Sequence, residues 1–316
     1  MHKKVTVLGG GTGISYLLKG LKDFPVDITA IITVSDNGKS TGVLREEFHT
    51  PAVGDIRKVI SNLSGMDNEI KDIFEYRFKT SSDLDGHTIG NLLLTGFIDM
   101  TGSLKKSIDN VSKLLDVRHK VLPLSEECLT LMGETMDGKI IEGESNITEA
   151  KQKYKRIFYK KEPKVLDEVI DAIINTDLII ISMGSLYTSI FPHLISKQVV
   201  LAMKLSKAKI MYLCNAMTQP GETDNYTVSD HIKELNKHLI KRKIEVVIAS
   251  NLMNKNEMLK KYETKEQKDQ VVIDEEKINK IGCELITGDL LTDSDGTLKH
   301  NSLKLSTLVF NYLMRD

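Results

Sequence analysis

Six short polar segments carry most of the side chains able to hold or transform a ligand. The first is Gly9-Gly10-Gly11-Thr12-Gly13, between an apolar run at 5–8 and a helical pattern with Ile14, Leu17, Leu18 and Leu21 on one face. Glycines let backbone amides approach a phosphate with no Cβ in the way, and a helix start adds a favourable dipole. No Lys-Ser/Thr pair ends the loop, so it is not a Walker A loop and nucleotide hydrolysis of that type is not indicated. The second, Ser35-Asp36-Asn37-Gly38-Lys39-Ser40-Thr41-Gly42, closes another apolar run. Asp36 can accept a bond from a ribose hydroxyl there, or hold Mg²⁺ together with phosphates. Plain turn chemistry is the bland alternative.

In Gly54-Asp55-Ile56-Arg57, Arg57 can clamp a phosphate through its planar fork. Asp55 can cap a helix or serve as a second Mg²⁺ ligand. Gly86-His87-Thr88-Ile89-Gly90-Asn91 places His87 and Asn91 at the start of a strongly apolar helix. The last two segments follow the apolar runs 178–181 and 209–214. They are 182–189, with Gly184, Ser185 and Leu186, and 215–223, with Asn215, Gln219, Gly221 and Glu222. Both are expected to line a crevice opposite the first glycine loop. Gly184-Ser185-Leu186 does not make a Gly-x-Ser-x-Gly elbow, and paired histidines at helical spacing are absent. No residue is assigned a catalytic role.

Alternating elements must position these segments. Strand, glycine turn, helix and strand within the first 34 residues form a βαβ unit. Helical spacing follows at 54–63, 68–78, 88–100 and 103–115. Short strands at 120–123, 129–135 and 139–142, the last two joined by Met136-Asp137-Gly138, predict a small β excursion at about 117–150. Helix and strand then alternate: helix 165–175, strand 178–181, helix 195–204, strand 209–214, helix 228–238 and strand 246–248. Strands at 271–273 and 283–286 flank a helix from Asp274, and a helix at 302–313 closes the pattern. This predicts one α/β domain over 1–316: a doubly wound, mostly parallel Rossmann-like sheet with a helical segment and the β excursion. The lysines of 151–164, interleaved with Tyr154, Phe158 and Tyr159, read as a solvated turn or helix face.

The chain has 43 Lys and Arg against 44 Asp and Glu, a net charge of −1. That balance argues against nucleic acid or an anionic membrane as the main partner. Cys128, Cys214 and Cys283 are too few and too widely spaced for a disulfide framework or a cysteine zinc site, and each reads as a buried small hydrophobe. No apolar run approaches the ~18 residues of a membrane span, and the stretch before Gly9 is too short for a signal peptide, so a cytoplasmic location is expected.

Taken in order, 7–13, 33–38, 54–57, 86–93, 184–189 and 215–223 resemble the bacterial gluconeogenesis factor family (YvcK-like), which is related to 2-phospho-L-lactate transferase (CofD-like), an enzyme of deazaflavin cofactor synthesis. The resemblance spans essentially the whole chain. It implies a Rossmann-like fold binding a UDP-sugar such as UDP-N-acetylglucosamine, or a dinucleotide as in related proteins. It implies a cytoplasmic regulator needed for growth on gluconeogenic carbon sources, for cell shape and for cell-wall precursor supply. Cell-wall or kinase-signalling proteins and a second copy of the chain are its implied partners. No catalysed reaction is established for that branch; in the transferase branch the crevice holds a guanine nucleotide, a deazaflavin acceptor and Mg²⁺.

Three departures bear on chemistry. Asp36-Asn37 stands where the family usually has two aspartates, which weakens Mg²⁺-assisted transfer. Ser182-Met183-Gly184 stands for Gly-Pro-Gly. Lys299-His300-Asn301 stands for Arg-His-Asp, and Lys299 can still neutralise a phosphate but without a planar fork. As a sensor, the amides of 10–13 and of Gly184-Ser185 would hold a diphosphate, Asp36 a hydroxyl, and Asn215, Gln219 and Glu222 the sugar. As a transferase, Asp36 and Asp55 would hold Mg²⁺ while Arg57 or His87 stabilises charge on the moving phosphate. An NAD-dependent dehydrogenase is permitted by the glycine turn and Asp36, but no hydride-relay constellation accompanies them.

Overall fold

The computed structural model describes residues 2–251, 268–294 and 297–315. Its strands, in chain order, are β1 (Lys3–Gly9), β2 (Val26–Ile32), β3 (Lys120–Pro123), β4 (Leu131–Thr135), β5 (Ile140–Glu142), β6 (Tyr154–Tyr159), β7 (Leu178–Ile181), β8 (Lys209–Leu213), β9 (Val246–Ser250), β10 (Glu284–Gly288), β11 (Leu291–Ser294) and β12 (Thr297–His300). Seven of them form one sheet in the order β10-β9-β8-β7-β1-β2-β3, with every neighbouring pair parallel. Such sheets are covered on both faces and read as unbroken apolar runs. Leu178 to Ile181 and Val246 to Ser250 are accordingly buried throughout.

The helix Gly11–Leu21 buries Ile14, Leu17, Leu18 and Leu21 and packs against the helices Gly54–Leu63 and Ser302–Leu313. Several described helix starts carry the side-chain caps that the orphan amides of a first turn require. Thr88 accepts from Asn91, Ser103 from Lys106 and Asn301 from Lys304. No described helix is long and apolar enough to cross a membrane.

Several features depart from the sequence reading. The strand at 120–123 pairs with β2 and is the outer edge of the main sheet, where Pro123 removes no needed ladder donor. The separate β unit is the antiparallel sheet β5-β4-β6, spanning 131–159. Its third strand is the lysine-rich segment: Tyr154, Ile157 and Tyr159 turn inward while Lys155 and Arg156 stay in solvent. Residues 271–273 make no strand, only isolated bridges at Gln270 and Val272. A helix occupies Lys39–Phe48 within and beyond the second polar segment, and β11 and β12 form a hairpin before the last helix. Cys128 is exposed, unlike Cys214 and Cys283.

Candidate functional site

The chain runs outward from β1 through β2 to β3, then restarts at β7 on the other side of β1. Where strand order reverses like this, the loops leaving the two central strands diverge and open a crevice at their carboxyl ends. The loops flanking it are 9–13 and 182–190. Their backbones nearly touch: a Cβ on Gly13 would lie 2.0 Å from the Met183 carbonyl oxygen, and one on Gly9 would lie 2.1 Å from Ser182 Oγ. Gly11 adopts φ +65°, a conformation that suits glycine.

The crevice holds a cavity of about 200 Å³ whose walls include Gly11, Thr12, Asp36, Asp55, Lys58, Glu144, Thr188 and Ser189. Asp55 accepts the Gly11 amide and pairs with Lys58 Nζ at 3.1 Å. It therefore pins the glycine loop, and one amide expected to face a phosphate is already engaged. Asp36 accepts the Gly38 amide at 2.8 Å. Burial, and then the neighbouring Asp55, push the Asp36 carboxyl above the usual range. Burial and Asp36 together raise Glu144 to about 7.

Three crowded carboxylates against one lysine make a cation-seeking pocket. Among the described residues no three His, Cys, Asp or Glu side chains converge into a ready-made metal cluster. Mg²⁺ needs only one or two carboxylates, completing its shell with water and phosphate oxygens, and Asp36 and Asp55 fit that donor set.

A larger cavity of about 660 Å³ shares Asp36 and Lys58 and is lined by Arg57, Arg77, His87 and Asn91. Arg57 is 3% exposed and forms an ion pair with Glu75. Its Nε has no hydrogen-bond partner, and neither does Asn91 Oδ1. Ser40 Oγ lies 3.0 Å from His87 Nδ1 and accepts from Asn91 Nδ2 at 3.3 Å. The second, third and fourth polar segments therefore meet in a lobe where Arg57, Lys58 and Arg77 outnumber Asp36 and Asp85, a net basic neighbour of the acidic one.

The last two segments interlock behind the crevice. Asn215 and Gly184 exchange two hydrogen bonds, 2.8 Å from the Gly184 amide and 2.7 Å to its carbonyl. Glu222 accepts from Ser185 Oγ at 2.7 Å and from the Leu186 amide. Its burial raises the carboxyl to about 7. These bonds hold a π-helical turn, Leu186–Ile190, a rare geometry that often marks functional segments. The turn presents Thr188 and Ser189 to the cavity. Gln219 and Gly221 shape a turn that meets the backbone of Lys151 and Gln152. Asn37 accepts the Ser145 amide, and Lys299 lies 5.7 Å over the Tyr16 ring. Lys299 lines neither lobe.

Lys58, Glu144, Thr188 and Ser189 line the crevice although none was picked out as a ligand-holding residue. Lys58 could have been found from its i+3 spacing to Asp55 on one helix face. Glu144 could not, because it opens the helix Glu144–Glu149 carried by the β5-β4-β6 unit, a satellite sheet whose docking the sequence pattern does not encode.

Residues 5–291 match the family model described as 2-phospho-L-lactate transferase CofD. The chain belongs to the CofD family. Within that family it is 42% identical to the gluconeogenesis factor of Halalkalibacterium halodurans, over 97% of this chain and 95% of the relative. It is 41% identical to the gluconeogenesis factor of Bacillus subtilis, over 98% of each. An X-ray crystal structure of a Bacillus halodurans protein superposes with a TM-score of 0.94 at 42% identity, covering 98% of this chain and all of that one. The Rossmann-like α/β fold is thus shared with a crystallographically determined relative.

Proposed function

We propose that this CofD-family protein is a nucleotide-sugar-binding regulator of the gluconeogenesis factor type, with a ligand of the UDP-N-acetylglucosamine class. The observation that carries this reading is that the acidic and basic lobes meet at Asp36 and Lys58. A nucleoside diphosphate sugar is long, anionic at its middle and rich in hydroxyls at both ends. Mg²⁺ at Asp36 and Asp55 would supply the charge that lets a diphosphate enter the acidic lobe. Lys58, Arg57 and Arg77 would neutralise the rest. Hydroxyls would find acceptors in Asn91, Asp36 and Glu144, while Thr188 and Ser189 would face the diphosphate.

In this reading the protein works in the cytoplasm, supporting growth on gluconeogenic carbon, cell shape and cell-wall precursor supply. Occupancy would be read through the satellite sheet by a cell-wall or kinase-signalling protein, or by a second copy of the chain. Calorimetric titration with UDP-N-acetylglucosamine, with and without Mg²⁺, tests it; the absence of saturable heat at millimolar ligand would count decisively against it.

The presence of Asp36 on the same cavity as the buried Arg57, beside Asp55, favours a second reading, a Mg²⁺-dependent transferase acting on nucleotide-linked phospholactate. There Mg²⁺ would supply Lewis-acid stabilisation of phosphate charge. Arg57 would hold a phosphoryl oxygen, and Asp55 would keep Gly11 in place. A turnover assay with the nucleotide-linked donor and a deazaflavin acceptor separates the two readings.

A further inference from the structure

We propose that the cavity behind the Asp36 loop, between the helix Lys39–Phe48 and the satellite sheet, is a second binding site, for a small organic anion. It measures about 610 Å³. It backs onto the crevice through shared segments: Asp36 and Glu144 line the crevice, whereas their neighbours Asn37 and Gly143 line this cavity. The floor is apolar, from the buried Leu129 and Leu131.

One guanidinium on its wall points to an anion. Arg45 is half-buried and donates only to backbone carbonyls: Ser35 at 3.2 Å, Asp36 at 2.7 Å and Leu129 at 2.8 Å. Among the described residues no carboxylate forms an ion pair with it. Of the two acids at the rim, Glu142 pairs with Lys160 at 2.8 Å and Glu46 is exposed to solvent, so neither reaches Arg45. A guanidinium removed from water without a counter-ion is stabilised by an incoming carboxylate or phosphate. Ser35, 2% exposed, also lines the cavity, and its hydroxyl has no hydrogen-bond partner. The ligand therefore presents an anionic group, a carboxylate or a phosphate, to Arg45, and any short carbon chain it carries lies over Leu129 and Leu131. Its occupancy would tie Arg45 to the satellite sheet across the seam where Asn37 accepts the Ser145 amide. None of this rests on the nucleotide reading of the crevice.

Cys128 gives a direct readout, because it lines the cavity and is exposed while Cys214 and Cys283 are buried. The rate of iodoacetamide labelling at Cys128 is followed by mass spectrometry in sodium tricarballylate, in inorganic phosphate and in sodium chloride, at equal ionic strength. Saturable protection of about fivefold at millimolar tricarballylate or phosphate, the factor given by ligand at about four times its dissociation constant, is expected, with none from chloride. Protection by one anion and not the other identifies the headgroup. Arg45→Gln should abolish it. Asn146→Asp, which adds a negative charge to the wall without touching the backbone bonds of Arg45, should weaken it severalfold and decides the matter if Arg45→Gln does not fold. Equal labelling rates in all three salts, or protection undiminished in Asn146→Asp, would overturn the proposal.

Discussion

Asn37 Oδ1 accepts the backbone amide of Ser145 at 2.8 Å, across 108 residues of sequence. The bond joins the loop that carries Asp36 to the helix Glu144–Glu149, and so brings Glu144 to the crevice. Gly143 completes the seam: its φ of +95° suits glycine, and a Cβ there would meet Asn37 Nδ2 at 2.8 Å. The Asn37 side chain is therefore spent on docking the satellite sheet.

Replacing Asn37 tests that role. Asn37→Ala should cost about 1 kcal/mol, the usual worth of one hydrogen bond, and should speed amide exchange and proteolysis at 143–149. Asn37→Asp keeps an acceptor and should leave exchange there near the native rate. Equal protection of 143–149 in Asn37→Ala and wild type would dissociate the bond from the docking.

Glycine substitutions separate close approach from mere flexibility. Gly13→Ala would drive a Cβ into the Met183 carbonyl, backbone against backbone. A loss of about 1–3 kcal/mol and of crevice binding is expected, since neither segment can give way cheaply. Gly96→Ala is the control: it lies inside the helix Ile89–Thr101 with nothing within 4 Å, and should gain up to about 1 kcal/mol. Thermal midpoints of the two variants should move in opposite directions.

Glu222 is the buried acceptor that closes the π-helical turn. Glu222→Ala strands the Ser185 hydroxyl and the Leu186 amide, an expected cost of about 1–3 kcal/mol, whereas Glu222→Gln retains one acceptor oxygen and should lose less. Chemical denaturation of both variants orders them.

The raised acids also set a pH dependence. Glu144 and Glu222 are each lifted from 4.5 to about 7 by burial, so the folded chain binds their protons more tightly than the unfolded chain does. Their contribution to stability is fully present below about 4.5 and is lost as pH rises through about 7. Glu144→Gln and Glu222→Gln should each flatten the fall in stability across that window. Mg²⁺ affinity should move the other way, rising through about pH 7 as Glu144 ionises beside Asp36.

The sheet was legible because its strands are continuous apolar runs that end at glycine-containing turns, as at 5–13 and 178–184. Asp36 was expected just past a strand end, whereas Arg57, His87 and Asn91 reach the same cavity from helix starts between β2 and β3. Three things stayed hidden. Tyr154–Tyr159 carries its inward aromatics amid lysines, and charge masked the alternation. Lys39–Phe48 begins in a glycine-rich polar stretch with no side-chain cap. Asp55 looked like a cap or a ligand, and only the packed structure puts it on the Gly11 amide, 44 residues away.

The central claim is that the crevice between β1 and β7 holds a magnesium–nucleotide sugar. Calorimetry of Mg²⁺ and UDP-N-acetylglucosamine against wild type, Asp36→Ala and Gly13→Ala tests it most directly. Saturable one-to-one binding, weakened at least tenfold in Asp36→Ala and lost in Gly13→Ala, is the predicted result, a tenfold loss corresponding to about 1.4 kcal/mol. No binding by the wild type, or binding untouched by either substitution, would contradict it.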